Sequence, residues 1–155
     1  MRAPRLRDGA RRLANVTPAD IALAARAFAM LVRMRVALWL LPWRRVLAKT
    51  GSYSAFGTGE ATRRVSIDRL ERSVRTASRV VPRATCLTQA LALTHLLARS
   101  GYTATVRIGV TNSGGRFAAH AWVECEGMPL LSSAADVARY APLVAWTPAH
   151  PDVFR

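Results

Sequence analysis

The stretch CLTQALALTHLLARSGYTATVRIGV, residues 86–110, contains the change of period that decides the fold. Up to Arg99 it is rich in alanine and leucine and reads as a helix, and Gly101 supplies the glycine that closes helices at the C-terminal cap. From residue 102 the period falls to two. Ala104, Val106, Ile108 and Val110 alternate with Thr103, Thr105, Arg107 and Gly109, the pattern of a half-buried strand over 102–110.

Downstream, TNSGGR (111–116) reads as a turn and FAAHAWVECE (117–126) as a second strand, with Gly127 turning the chain into MPLL. Ser133-Ala-Ala-Asp136 resembles a capping box for a short helix toward Tyr140, with Asp in place of Glu or Gln. Upstream of Cys86 the pattern is helical. Thr17-Pro18-Ala19-Asp20 opens a helix with an N-cap, a first-position proline and an acid in the first turn. Apolar residues at 21, 24, 25, 28, 31, 32 and 36 form its expected inner face, and Pro42 ends or kinks it. WRRVLAKTG adds a turn or two, and residues 50–60 are a Gly/Ser/Thr loop. A second helix starts at Ser66, with Ile67, Leu70, Val74, Ala77 and Val81 on one face and Pro82 stopping it. Helices first and an antiparallel sheet after them give the α+β class. One compact domain is expected, made of a basic tail (1–16), an N-terminal helical region and loop (17–60), and a core (61–155).

The chain has 155 residues, 51% of them hydrophobic, enough for a real core. Its formal charge is +14, carried by arginine apart from Lys49, which favours an acidic partner: nucleic acid, a membrane surface, or an acidic peptide or protein. Two cysteines without metal-type pairing argue against a disulfide scaffold and a zinc finger, and make a reduced, cytoplasmic protein the default expectation. No Gly-x4-Gly-Lys-[Ser/Thr] stretch occurs. No cofactor or metal is expected. The apolar run Ile21 to Leu41 is interrupted by Arg26, Arg33 and Arg35, which argues against a membrane span. Arg26 also splits it as a signal peptide.

Cys86 stands where a helix begins. Free backbone N–H groups and the positive end of the helix dipole favour thiolate there, and the same N–H groups can receive an oxyanion. The rival role is plain packing, common for free cysteines. A thiolate needs a base. His95 lies nine residues further along the same helix, about 180° around the axis, and cannot face the thiol. His150 sits in a Pro-flanked tail. His120 is mid-strand in AAHAWVE, where the bland reading is a half-buried sheet histidine. Parity puts His120, Trp122 and Glu124 on one face and Ala119, Ala121, Val123 and Cys125 on the other, so Cys125 points away from His120.

The ordered set Cys86-Leu-x-x-Ala-Leu-Ala-Leu-x-x-Leu-Leu, Gly101-Tyr-x-Ala-x-Val-x-Ile-Gly-Val110 and Ala119-His-Ala-Trp-Val-Glu124 resembles the transglutaminase-like cysteine peptidases of lasso-peptide biosynthesis. MRVALWLLPWRRVLAKTG (34–51) is similar to the N-terminal helical region of that family, and the likeness spans about residues 20–145. It implies helices packed on a papain/transglutaminase-like core with a small antiparallel sheet and a nucleophile at a helix N-terminus. It implies removal of the leader from a ribosomally made precursor, with Cys86 as nucleophile and His120 as general base and acid. It further implies a small leader-recognition protein as partner and a separate ATP-dependent cyclase acting on the freed core peptide.

The family's third catalytic residue, an acid about a dozen positions after the histidine, aligns with Leu131-Ser132-Ser133, where the last two are serine. Asp136 is the nearest acid downstream, with helix capping beside Ser133 as its competing role. Glu124, four residues along the same strand, stands about 13 Å from His120. A serine or a backbone carbonyl that orients the imidazole is the other option. Two further readings stay open: an escort protein of the same fold without activity, which the serines would suit, and a nucleic-acid-binding protein. The latter has the charge, in arginines along 63–83, but no recognisable motif and few interleaved aromatics.

Overall fold

The computed structural model describes residues 17–42, 45–46, 65–113 and 115–146. Three helices precede the sheet: α1 (Pro18–Leu40), α2 (Ile67–Ser78) and α3 (Cys86–Arg99). The start of α1 is fixed by a full capping box, with Asp20 N–H donating to Thr17 Oγ1 and Thr17 N–H to Asp20 Oδ2. Asp20 also accepts from Arg69 of α2 at 2.6 Å, which ties the two helices together. The Thr17 hydroxyl first, and then Arg69, hold the Asp20 carboxyl down at about 2.

The central helix is α3. Thr88 and every residue from Ala90 to Leu97 are buried, so it meets neighbours on all sides. Helices α1 and α2 cover it on one side and the sheet on the other. Gly101 follows with φ +81, the left-handed value that lets Tyr102 N–H close back on Leu97.

The sheet comprises β1 (Ala104–Ser113), β2 (Arg116–Cys125), β3 (Met128–Leu130) and β4 (Ala141–Trp146), in the order β3-β2-β1-β4 and antiparallel throughout. A four-residue helix, α4 (Ala134–Val137), sits between β3 and β4. Ala104, Val106, Ala121, Val123, Cys125 and Leu130 share the core with the helices. The β1–β2 register sets Val106 opposite Val123 and Gly109 opposite His120. Glu126 and Gly127, both at positive φ, form the two-residue turn between β2 and β3.

Several expectations change. The inner face of α1 is Leu23, Ala27, Met30, Leu31 and Met34, while Ile21, Phe28, Val32 and Val36 are exposed. This helix is apolar over much of its circumference, so periodicity alone does not choose a face and packing against α2 and α3 does. Helix α2 ends at Ser78, before the proline. Strand β1 runs on to Ser113 and pairs with Arg116, so the turn is two residues rather than six. Gly115, at φ +77, accommodates it. Strand β4 was not anticipated. It is an edge strand, and Pro142 falls beside a register shift at Ile108/Gly109, a position that tolerates a missing N–H. The loop 50–60, His150 and the basic tail lie outside the described residues. No helix of the described residues is long and apolar enough to cross a membrane.

Candidate active site

Cys86 is the first residue of α3. Thr85 is the N-cap, its hydroxyl accepting from Thr88 N–H at 3.3 Å. Gln89 donates from its side chain to the Ala84 carbonyl across the same helix start. Cys86 is half-buried and packs, with Ala84 and Leu87, against the edge of the core. Cys125 is buried within the core, on the face that parity assigned to it.

His120 projects from the opposite face of β2 into an open cavity of about 260 Å³ lined by Leu131, Ser132, Asp136, Arg139 and Tyr140. Its Nε2 lies 2.6 Å from Ser132 Oγ. Trp122 stacks on one side at 6.2 Å between ring centroids, and Tyr140 lies tilted at 5.2 Å. Tyr140 reaches the ring because position 109 is glycine. A Cβ there would stand 2.9 Å from Tyr140 Cβ and 3.0 Å from both Trp122 Cη2 and the Ala141 carbonyl oxygen. Among the described residues, Nδ1 of His120 has no hydrogen-bond partner.

Asp136 shares the cavity but is engaged elsewhere. Its Oδ2 accepts from the Ser133 hydroxyl at 2.6 Å, and its N–H donates to Ser133 Oγ at 3.1 Å, capping α4. That hydroxyl holds the Asp136 carboxyl below its ordinary range, with Arg139 and His120 adding weaker attractions. Glu124 pairs with Arg107 at 2.9 Å and takes no part at His120. His95 is buried within α3. Burial first, and then the charges of Arg99 and Arg33, push it down to about 4, so it is neutral near pH 7.

Cys86 stands thirteen helical steps, about 20 Å, before Arg99, and Gly109, opposite His120, stands five strand steps, about 17 Å, after Ala104. Cys86 does not line the His120 cavity, and among the described residues no hydrogen bond joins the two. The structure therefore brings His120, Ser132 and Asp136 together and leaves the thiol outside that group. Ser132 was legible as the aligned position. Tyr140 and Gly109 were missed as site residues, and the one available signal was a glycine inside an alternating strand.

The family model described as the transglutaminase-like superfamily matches residues 28–145, and the chain belongs to that superfamily. The match runs from within α1 to β4 and takes in Cys86, His120 and the serine pair. No curated protein and no solved structure gives a significant match. The superfamily includes cysteine peptidases. Among the described residues no group of three or more His, Cys, Asp or Glu side chains could hold a metal ion.

Proposed function

We propose that this superfamily member is a cysteine peptidase that removes the leader from a ribosomally synthesised lasso-peptide precursor. Cys86 is its nucleophile and His120 its base. The observation that carries the chemistry is the state of His120. Its ring packs against Trp122 and Tyr140 and is bonded at Nε2, with Nδ1 left for a proton from the thiol. Cys86 is half-buried at a helix start, whereas Cys125 is buried on the other face of β2. Catalytic hydrogen bonds are often long in the empty enzyme and tighten when substrate is bound.

In this mechanism Nδ1 takes the thiol proton and the sulfur attacks the scissile carbonyl carbon. The carbonyl π pair moves to oxygen, where the Cys86 N–H at the helix start stabilises it. Collapse of the tetrahedral adduct breaks the C–N bond, and His120 protonates the leaving amine. Water then attacks the thioester and gives its proton to His120, and the released thiolate completes the cycle. The positive surface suits an acidic leader or an acidic recognition partner. The ring-closing cyclase acts afterwards, on the freed core peptide.

The test is cleavage of a precursor peptide with and without the small leader-recognition protein, using wild type and Cys86→Ala. Cleavage by the wild type and none by a folded Cys86→Ala chain is the expected result. Full cleavage by the variant would end the reading.

A further inference from the structure

The hydrogen bond that a triad acid would make to the histidine is made here by Ser132. Taking Cys86 and His120 as nucleophile and base, as above, we infer that Ser132 is the positioning residue of the pair. In this role its Oγ accepts the Nε2–H of His120, leaving the Nδ1 lone pair to take the thiol proton.

Three observations converge on this hydroxyl. First, the Oγ to Nε2 distance is 2.6 Å, at the short end of hydrogen-bond lengths. Second, the competing acid is occupied, because Asp136 is bound by Ser133. Third, the backbone that delivers Ser132 is held in a costly conformation. Leu131 sits at φ +67, a region that costs a non-glycine residue about 1–3 kcal/mol and persists only where neighbours impose it. The neighbour is Glu71 of α2, which accepts the Leu131 N–H at 2.8 Å while Arg75 holds the same carboxylate oxygen. The strained leucine turns the chain out of β3, and the next side chain meets the His120 ring.

A hydroxyl in this place orients the imidazole but brings no negative charge to the imidazolium. The groups facing the ring are Ser132, Asp136, Arg139, Tyr140 and Trp122, and Asp136 is the one carboxylate among them. The pair therefore depends on geometry more than a Cys-His-Asp triad does. A carboxylate introduced at 132 supplies the missing charge.

The test needs no substrate. The rate of iodoacetamide alkylation of Cys86 is followed by peptide mass against pH, in wild type and in His120→Ala, Ser132→Ala, Ser132→Thr and Ser132→Asp. Loss of reactivity near neutral pH in His120→Ala supports the pairing itself; no change there sinks the underlying reading. With the pairing present, Ser132→Ala should slow alkylation roughly tenfold or more, and Ser132→Thr should restore it. Ser132→Asp should raise the alkylation rate near neutral pH, because a carboxylate favours the imidazolium and with it the paired thiolate. Alkylation that responds to His120→Ala but not to Ser132→Ala, or equal loss in the alanine and threonine variants, overturns the role of Ser132. Nitrogen-15 shifts of His120 in the wild-type chain give a reading independent of any variant. A neutral ring protonated at Nε2 is expected, and one protonated at Nδ1 overturns the inference.

Discussion

Tyr140 packs against the bare Cα of Gly109, and that contact closes one side of the His120 ring. The space is exact to a hydrogen atom, since a methyl group at 109 would meet side chain on two sides and backbone on a third at about 3 Å. Gly109 also sits opposite His120 in the β1–β2 register and beside the shift in the β1–β4 pairing. Gly109→Ala should therefore displace Tyr140 and cost about 1–3 kcal/mol of stability, as other overpacked sites do. Chemical denaturation measures the cost. Loss of the nuclear Overhauser contact between Tyr140 and His120 measures the displacement.

Thr85 caps the helix that begins with Cys86. Thr85→Ala removes the acceptor of Thr88 N–H and the hydroxyl contact to Thr88 at 2.9 Å. A loss of about 1 kcal/mol is expected in denaturant unfolding. Thr85→Ser, which keeps the oxygen, should recover most of it.

Glu71 holds the strained turn before Ser132. Glu71→Ala leaves the Leu131 N–H without its acceptor and should destabilise the chain by about 1–3 kcal/mol. Hydrogen exchange at Leu131 should accelerate by more than at Val123 in the core. Equal acceleration at both sites would show global loosening in place of a local release.

His95 makes stability fall in mild acid. Its folded value of about 4 lies below the ordinary 6.5, so the unfolded chain binds the extra proton between these limits. Stability that is full above about 6.5 is lost as pH drops toward 4, by roughly 3 kcal/mol in all. His95→Gln should flatten this part of the profile, whatever it does to stability at pH 7. Asp20 acts in the same direction but lower, between 3.8 and about 2. A stability curve unchanged in shape by His95→Gln would rule out this origin.

The helix over 86–99 and its glycine cap were readable from sequence because period and cap chemistry are local. The assignment of Cys125 to the core was equally direct, since side chains alternate along a strand whatever lies beyond it. The inner face of α1 was not readable. Apolar residues surround most of that helix, and the choice between Leu23 and Ile21 belongs to α2 and α3.

The sequence by itself determined the α+β order, the cysteine at a helix start and the histidine on a strand. These follow from periods of 3.6 and 2 and from residue chemistry. Only the tertiary structure decided which group takes the Nε2 of His120. Ser132 and Asp136 are four residues apart, and the Ser133-Ala-Ala-Asp136 pattern offers the aspartate a capping role without saying which group meets His120. A left-handed leucine, held by a glutamate sixty residues earlier in the chain, brings the serine to the ring, while Ser133 keeps the aspartate for the helix cap. Long-range hydrogen bonds of that kind leave no period in a sequence.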